Sequence, residues 1–182
     1  MPSLETTGDP IPPDTKDWTW VLERPCPECG FDAAAVGVAD VPGLVHDTSM
    51  ALADALLRAD ATTRPDATTW SAVEYACHVR DVHRIFGERL ALMLAEDEPR
   101  FANWDQDETA VAERYAEQDP AVVAAELVEE AGATAGLFAG VTPDQHARRG
   151  VRSNGSEFTV ETLGRYYVHD LVHHVHDVGA RP

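Results

Sequence analysis

Apolar residues recur every three to four positions through four long stretches of the chain, the period of helices that each bury one face. The first stretch predicts a helix from about Pro42 to Arg58, with Leu44, Val45, Leu52, Leu56 and Leu57 turned inward. After a turn through Arg64-Pro65-Asp66, Thr69 is placed to cap a longer helix from Trp70 to about Ala95. Its expected core positions are Val73, Ala76, Cys77, Ile85, Leu90 and Leu94. The segment from Asp97 to Asp119 is less regular, carries Phe101, Trp104 and Tyr115, and has room for a short helix near Glu108 to Glu117. Asp119-Pro120 reads as an N-cap followed by proline at the first helical position, so a third long helix runs to about Ala139 with Val122, Val123, Leu127, Val128 and Leu137. Between Arg148 and Phe158 the tight-turn signal Ser153-Asn154-Gly155 predicts a small hairpin. Thr159 caps the last helix, Val160 to about Val178, and Gly179 ends it. Four long helices with short connections predict an all-α, antiparallel four-helix bundle over residues 34–182.

Residues 1–33 break this pattern. They hold Pro2, Pro10, Pro12, Pro13, Pro25 and Pro27, yet also Trp18, Trp20 and Phe31. A disordered tail rarely carries two tryptophans, so an irregular arm packed on the bundle is expected.

Charge narrows the function. The formal net charge is -18, with one lysine, Lys16, against thirteen arginines and no basic stripe. Such a field repels phosphate backbones and argues against DNA or RNA as a partner. No apolar run is long enough to span a membrane. The first twenty residues are polar and contain no apolar core of a leader, so a cytoplasmic location is expected. Cys26, Cys29 and Cys77 make an odd count, which argues against a disulfide framework.

Chemistry concentrates in the histidines. Four of the eight, His169, His173, His174 and His176, fall within eight residues of the last helix. His169 and His173 are four positions apart and stack on one face, a spacing that lets two imidazoles converge on one metal ion. His174 points about 100° away from His173. A third ligand must come from elsewhere, and His78, in the middle of the apolar second helix, is the best placed. Glu74 or Asp81 is then positioned to accept its other N–H, while His83 should face away. A pH-responsive histidine cluster or an exposed chelating patch are the competing readings of the same residues. His169 is followed by Asp170 rather than Glu, so the zinc-protease pattern is absent.

Two segments carry a family resemblance. Trp70-Ser71-Ala72-Val73-Glu74-Tyr75-Ala76-Cys77-His78 and His169-Asp170-Leu171-Val172-His173-His174 resemble, in order and on the expected helices, the Trp-Ser-x-x-Glu-x-x-x-His and His-x-x-x-His motifs of the DinB-like superfamily. That superfamily includes bacterial thiol S-transferases and the N-terminal domain of mycothiol-dependent maleylpyruvate isomerases. The resemblance covers about residues 40 to 178. It implies a four-helix bundle holding zinc or nickel in a cleft, with His78, His169 and His173 as ligands, although some members place Glu at the first position on the last helix.

The function implied is a metal-dependent transferase that activates a low-molecular-weight thiol, mycothiol in an actinobacterial-looking chain, for attack on a small electrophile. Two alternatives stand beside it: a non-catalytic metal- or small-molecule-binding bundle, and a metal-dependent hydrolase. A homodimer is expected from the habit of such bundles. Arg80, Arg84 and Arg165 flank the ligand helices and are read first as partners for carboxylates. Outside the shared region, Cys26-Pro27-Glu28-Cys29-Gly30 resembles half of a zinc ribbon without its second Cys-x-x-Cys. A reduced capped turn is its plainest reading, with a separate structural zinc or a redox-active pair as the others.

Overall fold

The computed structural model describes residues 11–13 and 16–180. The parts of the expected arm at residues 1–10, 14 and 15, and the last two residues, lie outside this range. Four long helices form the predicted bundle: α1 (Val41–Ala55), α2 (Ala72–Ala95), α4 (Pro120–Ala139) and α5 (Val160–Asp177), with a short α3 (Gln106–Ala112) between α2 and α4. Both α1 and α2 pack against α4 and against α5, so the two helices consecutive in the chain sit at opposite corners of the bundle. Their shared interior holds Val45, Leu52, Val73, Val82, Leu90, Leu127, Phe138, Leu163, Tyr167 and Leu171, all 1% exposed or less.

Local chemistry sets the helix ends. The first orphan N–H groups of α2 are met by a capping box in which Ser71 is the cap, and its N–H and hydroxyl both donate to Glu74 Oε2, at 2.9 and 2.7 Å. Thr69, expected in that role, instead donates its hydroxyl to Asp66 Oδ2 at 2.9 Å. Asp119 accepts from the Ala121 N–H to start α4, and Thr159 accepts from the Thr162 N–H to start α5, both as expected. The first helix stops three residues early, which leaves Leu57 82% exposed rather than in the core. On α4 the outward positions Val122, Val128 and Leu137 are exposed as well.

The hairpin before α5 is present as β2 (Arg149–Arg152) and β3 (Glu157–Thr159), turned at Gly155 with φ of +95°. A strand not predicted, β1 (Arg100–Phe101), pairs with β2 in parallel, Arg100 opposite Val151 and Phe101 opposite Arg152. The order β1-β2-β3 ties the segment after α2 to the segment before α5.

The arm runs as three short 3₁₀ turns, Trp18–Leu22, Ala33–Ala35 and Val38–Asp40, and all three lie against α5. Val21, Cys26, Phe31, Val36 and Val38 are buried in the main core. One face of α5 is thereby covered by the arm, and another faces α2.

Candidate metal centre

Successive residues on a helix point about 100° apart, so α5 presents two adjacent pairs at i and i+4: His169 with His173, and Asp170 with His174. The structure gives these pairs different partners. Asp170 and His174 turn toward α2, where they meet His78; the three donor atoms lie within 4.8 Å of one another. His169 and His173 turn toward the arm, where they meet Cys26 and Cys29 in a second group of four donors within the same distance. The three imidazoles expected to share one ion are therefore divided between two clusters. His78 is brought to the carboxylate that follows His169, because the arm and not α2 covers the side of α5 that carries His169 and His173.

In the first cluster His78 Nε2 lies 3.2 Å from Asp170 Oδ1, and His174 Nε2 lies 3.4 Å from the same oxygen. Ligands about 2.0–2.2 Å from a single ion stand roughly 3.3–3.6 Å from one another in a tetrahedral set, so these spacings are close to those of one shared cation. His174 Nδ1 lies 2.8 Å from Asp177 Oδ2, a contact that places the ring proton on Nδ1 and turns Nε2 toward Asp170. His78 is fully buried, with its ring stacked on Trp104 at 5.4 Å between centroids and tilted against Trp70 at 5.6 Å. Its Nδ1 has no hydrogen-bond partner among the described residues, which corrects the role expected for Glu74 or Asp81. Glu74 is taken by Arg64 and Ser71, and Asp81 by Arg80, Arg84 and Tyr115.

The electrostatics agree with a cation site. Burial holds His78 and His173 below the usual imidazole range and pushes His169 down to about 4, so all three rings are neutral at pH 7. Burial alone would raise the Asp170 carboxyl, but the imidazoles of His78, His174 and His169 hold it well below the ordinary carboxylate range. Neutral imidazoles and an ionised carboxylate are the protonation states in which these groups bind metals. The cluster opens on a cleft of about 360 Å³ lined by Trp18, Trp70, Tyr75 and Tyr166, and also by His169 and His173, with Lys16, Glu28, Asp107, Asp170 and Asp177 as its charged groups.

The remaining candidates resolve simply. His83 faces the core, with Nε2 3.0 Å from Ser49 Oγ and Nδ1 against the Tyr167 hydroxyl. Arg80 pairs with Asp81 and Glu126, Arg84 with Asp81 and Glu130, and Arg165 with Glu161. Cys77 is buried in the bundle, where burial pushes its thiol up to about 12. Sequence reasoning missed Asp170 and His174 as partners of His78. The signal was present, since Asp170-x-x-x-His174 has the same spacing as His169-x-x-x-His173 and offers an oxygen in place of one nitrogen.

Comparison with known proteins supports the fold and places the chain. YfiT from Bacillus subtilis, described as a probable metal-dependent hydrolase with an unusual four-helix bundle topology, matches with a TM-score of 0.68 at 22% identity, over 76% of this chain and 82% of that one. At that identity the likeness establishes the fold. No curated protein matches the sequence. No described helix is long and apolar enough to cross a membrane. The sequence model of the DinB superfamily matches residues 44–178, a span that runs from within α1 to the end of α5 and holds every donor of the His78 cluster, and the chain belongs to that superfamily.

Proposed function

We propose that the chain is a metal-dependent enzyme acting on a small molecule, with His78, Asp170 and His174 holding a divalent ion, zinc or nickel foremost, at the floor of the cleft. The observation that carries this reading is the convergence of two nitrogens and one carboxylate oxygen, from two helices, at the base of a cavity large enough for a small substrate. Three protein donors leave coordination positions open, which suits catalysis rather than a purely structural ion. A divalent ion bound there lowers the pKa of a coordinated thiol or water toward neutrality. The protein's own part is to present His78 as a neutral imidazole, to fix the His174 ring through Asp177, and to wall the site with Trp70 and Trp104 against bulk water.

The nucleophile in this reading is a low-molecular-weight thiol, mycothiol being the proposed co-substrate, and the reaction is its transfer to a small electrophile. Glu28, Asp107 and Asp177 around the cleft against the single Lys16 favour a neutral or cationic substrate over a polyanion. The second reading is hydrolysis, with water in place of the thiol; the fold shared with YfiT, described as a probable metal-dependent hydrolase, favours it.

The test is consumption of a free thiol with a chlorodinitroarene by protein reconstituted with zinc or nickel. Wild type should turn over, and His78→Ala and Asp170→Asn should each lose at least about a hundredfold, the order of loss when a metal site is broken. Ester or amide cleavage that needs no thiol, and is lost in the same variants, would move the assignment to the hydrolase. Full activity in both variants would remove this cleft from the chemistry.

A further inference from the structure

From the arm side of α5 we infer a second metal site: Cys26, Cys29, His169 and His173 form a tetrahedral Cys₂His₂ zinc site that pins the arm to the bundle. The inference does not depend on the cleft being catalytic, and Cys26 and Cys29 lie outside the 44–178 span matched to the superfamily.

Four donors converge from two distant stretches of chain, with all ligand atoms within 4.8 Å of one another. Cys26 Sγ lies 3.7 Å from His173 Nδ1. Around zinc, with Zn–S of about 2.3 Å and Zn–N of about 2.0–2.1 Å, tetrahedral sulfur–nitrogen edges come to roughly 3.5–3.6 Å. Two sulfurs and two nitrogens are the donor set of closed structural zinc sites and leave no open position for substrate.

The backbone is built to aim the thiols. Gly30 N–H donates to the Cys26 carbonyl at 2.9 Å, and Cys26 N–H donates to the Phe31 carbonyl at 2.8 Å, which closes a tight knuckle. Gly30 sits at φ of +76°, a conformation that favours glycine. The Phe31 N–H donates toward Cys29 Sγ.

The imidazoles are equally prepared. His169 Nε2 is buried and has no hydrogen-bond partner among the described residues. His173 turns Nδ1 to the sulfur and Nε2 toward Glu28 Oε2 at 3.5 Å and Asp177 Oδ1 at 3.8 Å, carboxylates placed to take the ring proton. Trp18 closes the site, 5.6 and 5.0 Å from the two rings. A redox-active pair explains the two cysteines but not the two imidazoles held against them. Binding Zn²⁺ here releases both thiol protons to solvent and changes no oxidation state.

The experiment is cobalt substitution with elemental analysis, on protein purified without a histidine tag. Wild type should bind about two ions per chain and show the near-ultraviolet thiolate-to-cobalt charge-transfer band. The band should persist in His78→Ala, vanish in Cys26→Ser/Cys29→Ser, and weaken in His169→Ala. Because the cysteine variant can lose the arm's fold together with the ion, alkylation of wild type gives a variant-free reading: Cys26 and Cys29 should be protected with zinc and modified after chelation. An undiminished band without the cysteines, a Cys26–Cys29 disulfide in metal-free protein as purified, or equal alkylation with and without zinc would overturn the site. Loss of the band only in His78→Ala would do the same.

Discussion

His78 and His83 lie five residues apart on α2 and are put to opposite uses. His78 turns Nε2 to Asp170 beneath the cleft, whereas His83 is sealed between Ser49 and Tyr167; neither has exposed surface. Its partners are two hydroxyls inside the core, where burial disfavours the charged imidazolium. Burial accordingly pushes His83 down to about 3. An unfolded histidine titrates near 6.5, so from about 6.5 down to 3 the unfolded chain binds the extra proton. Stability should be fully present above that window and fall with pH inside it, by up to about 1.4 kcal/mol per unit for this one ring. Buried His169 leans the same way, so the informative quantity is a difference: urea midpoints at pH 7.5 and 5.0 should draw together in His83→Gln relative to wild type. An unchanged gap would mean that His83 accepts its proton in the folded state. The neighbours His169 and Asp170 teach the other lesson of single residues. The spacing His169-x-x-x-His173 announced a metal pair and the structure keeps that pair together, but the side of α5 that meets His78 is fixed by where the arm lies. A periodicity shows which residues share a face; the partner of that face is a tertiary fact.

Most elements were readable because their ends carry strong local chemistry. Asp119-Pro120 and Thr159 fixed the starts of α4 and α5 to the residue. The start of α2 slipped by two positions because Ser71-x-x-Glu74, the better cap, stands just behind Thr69. Strand β1 escaped because two residues are too few to show an alternation, and what makes it a strand is β2 alongside. That junction depends on Gly150. A Cβ at this position would stand 2.7 Å from Met93 Cγ and 2.8 Å from Phe101 Cε1. The Met93 side chain can give way, but the Phe101 ring is buried and held in register by β1. Gly150→Ala should therefore destabilise by about 1–3 kcal/mol, the usual range for an overpacked core, measured as a shift in denaturant midpoint with unchanged slope. A neutral result would show that β1 and the end of α2 move apart freely, and the small sheet would lose its role as the tie between α2 and α5.

Across the whole molecule, α5 is shared by two donor clusters. Asp177 reaches both, through His174 Nδ1 on the cleft side and toward His173 Nε2 on the arm side. The net charge of -18 draws divalent cations to the surface without preference between the two. Preference comes from the donors: two nitrogens and one carboxylate oxygen in one set, against two nitrogens and two thiolates in the other. Zinc–thiolate bonding in a closed set holds the ion longer than an open three-donor set does. Chelation should then proceed in two steps. Mild chelator should first remove the cleft ion and abolish turnover while leaving the arm in place. Stronger chelator should next remove the cysteine-bound ion and free the contact between residues 26–29 and α5, a cross-link that spans most of the chain and so restrains it strongly. Hydrogen exchange separates the steps, since amides of residues 18–40 should stay protected in the first and exchange faster in the second, with the interior of α2 protected throughout. Early exposure of the arm, before activity falls, would show that the cleft holds its ion more tightly and that the order of strength assigned to the two donor sets is reversed.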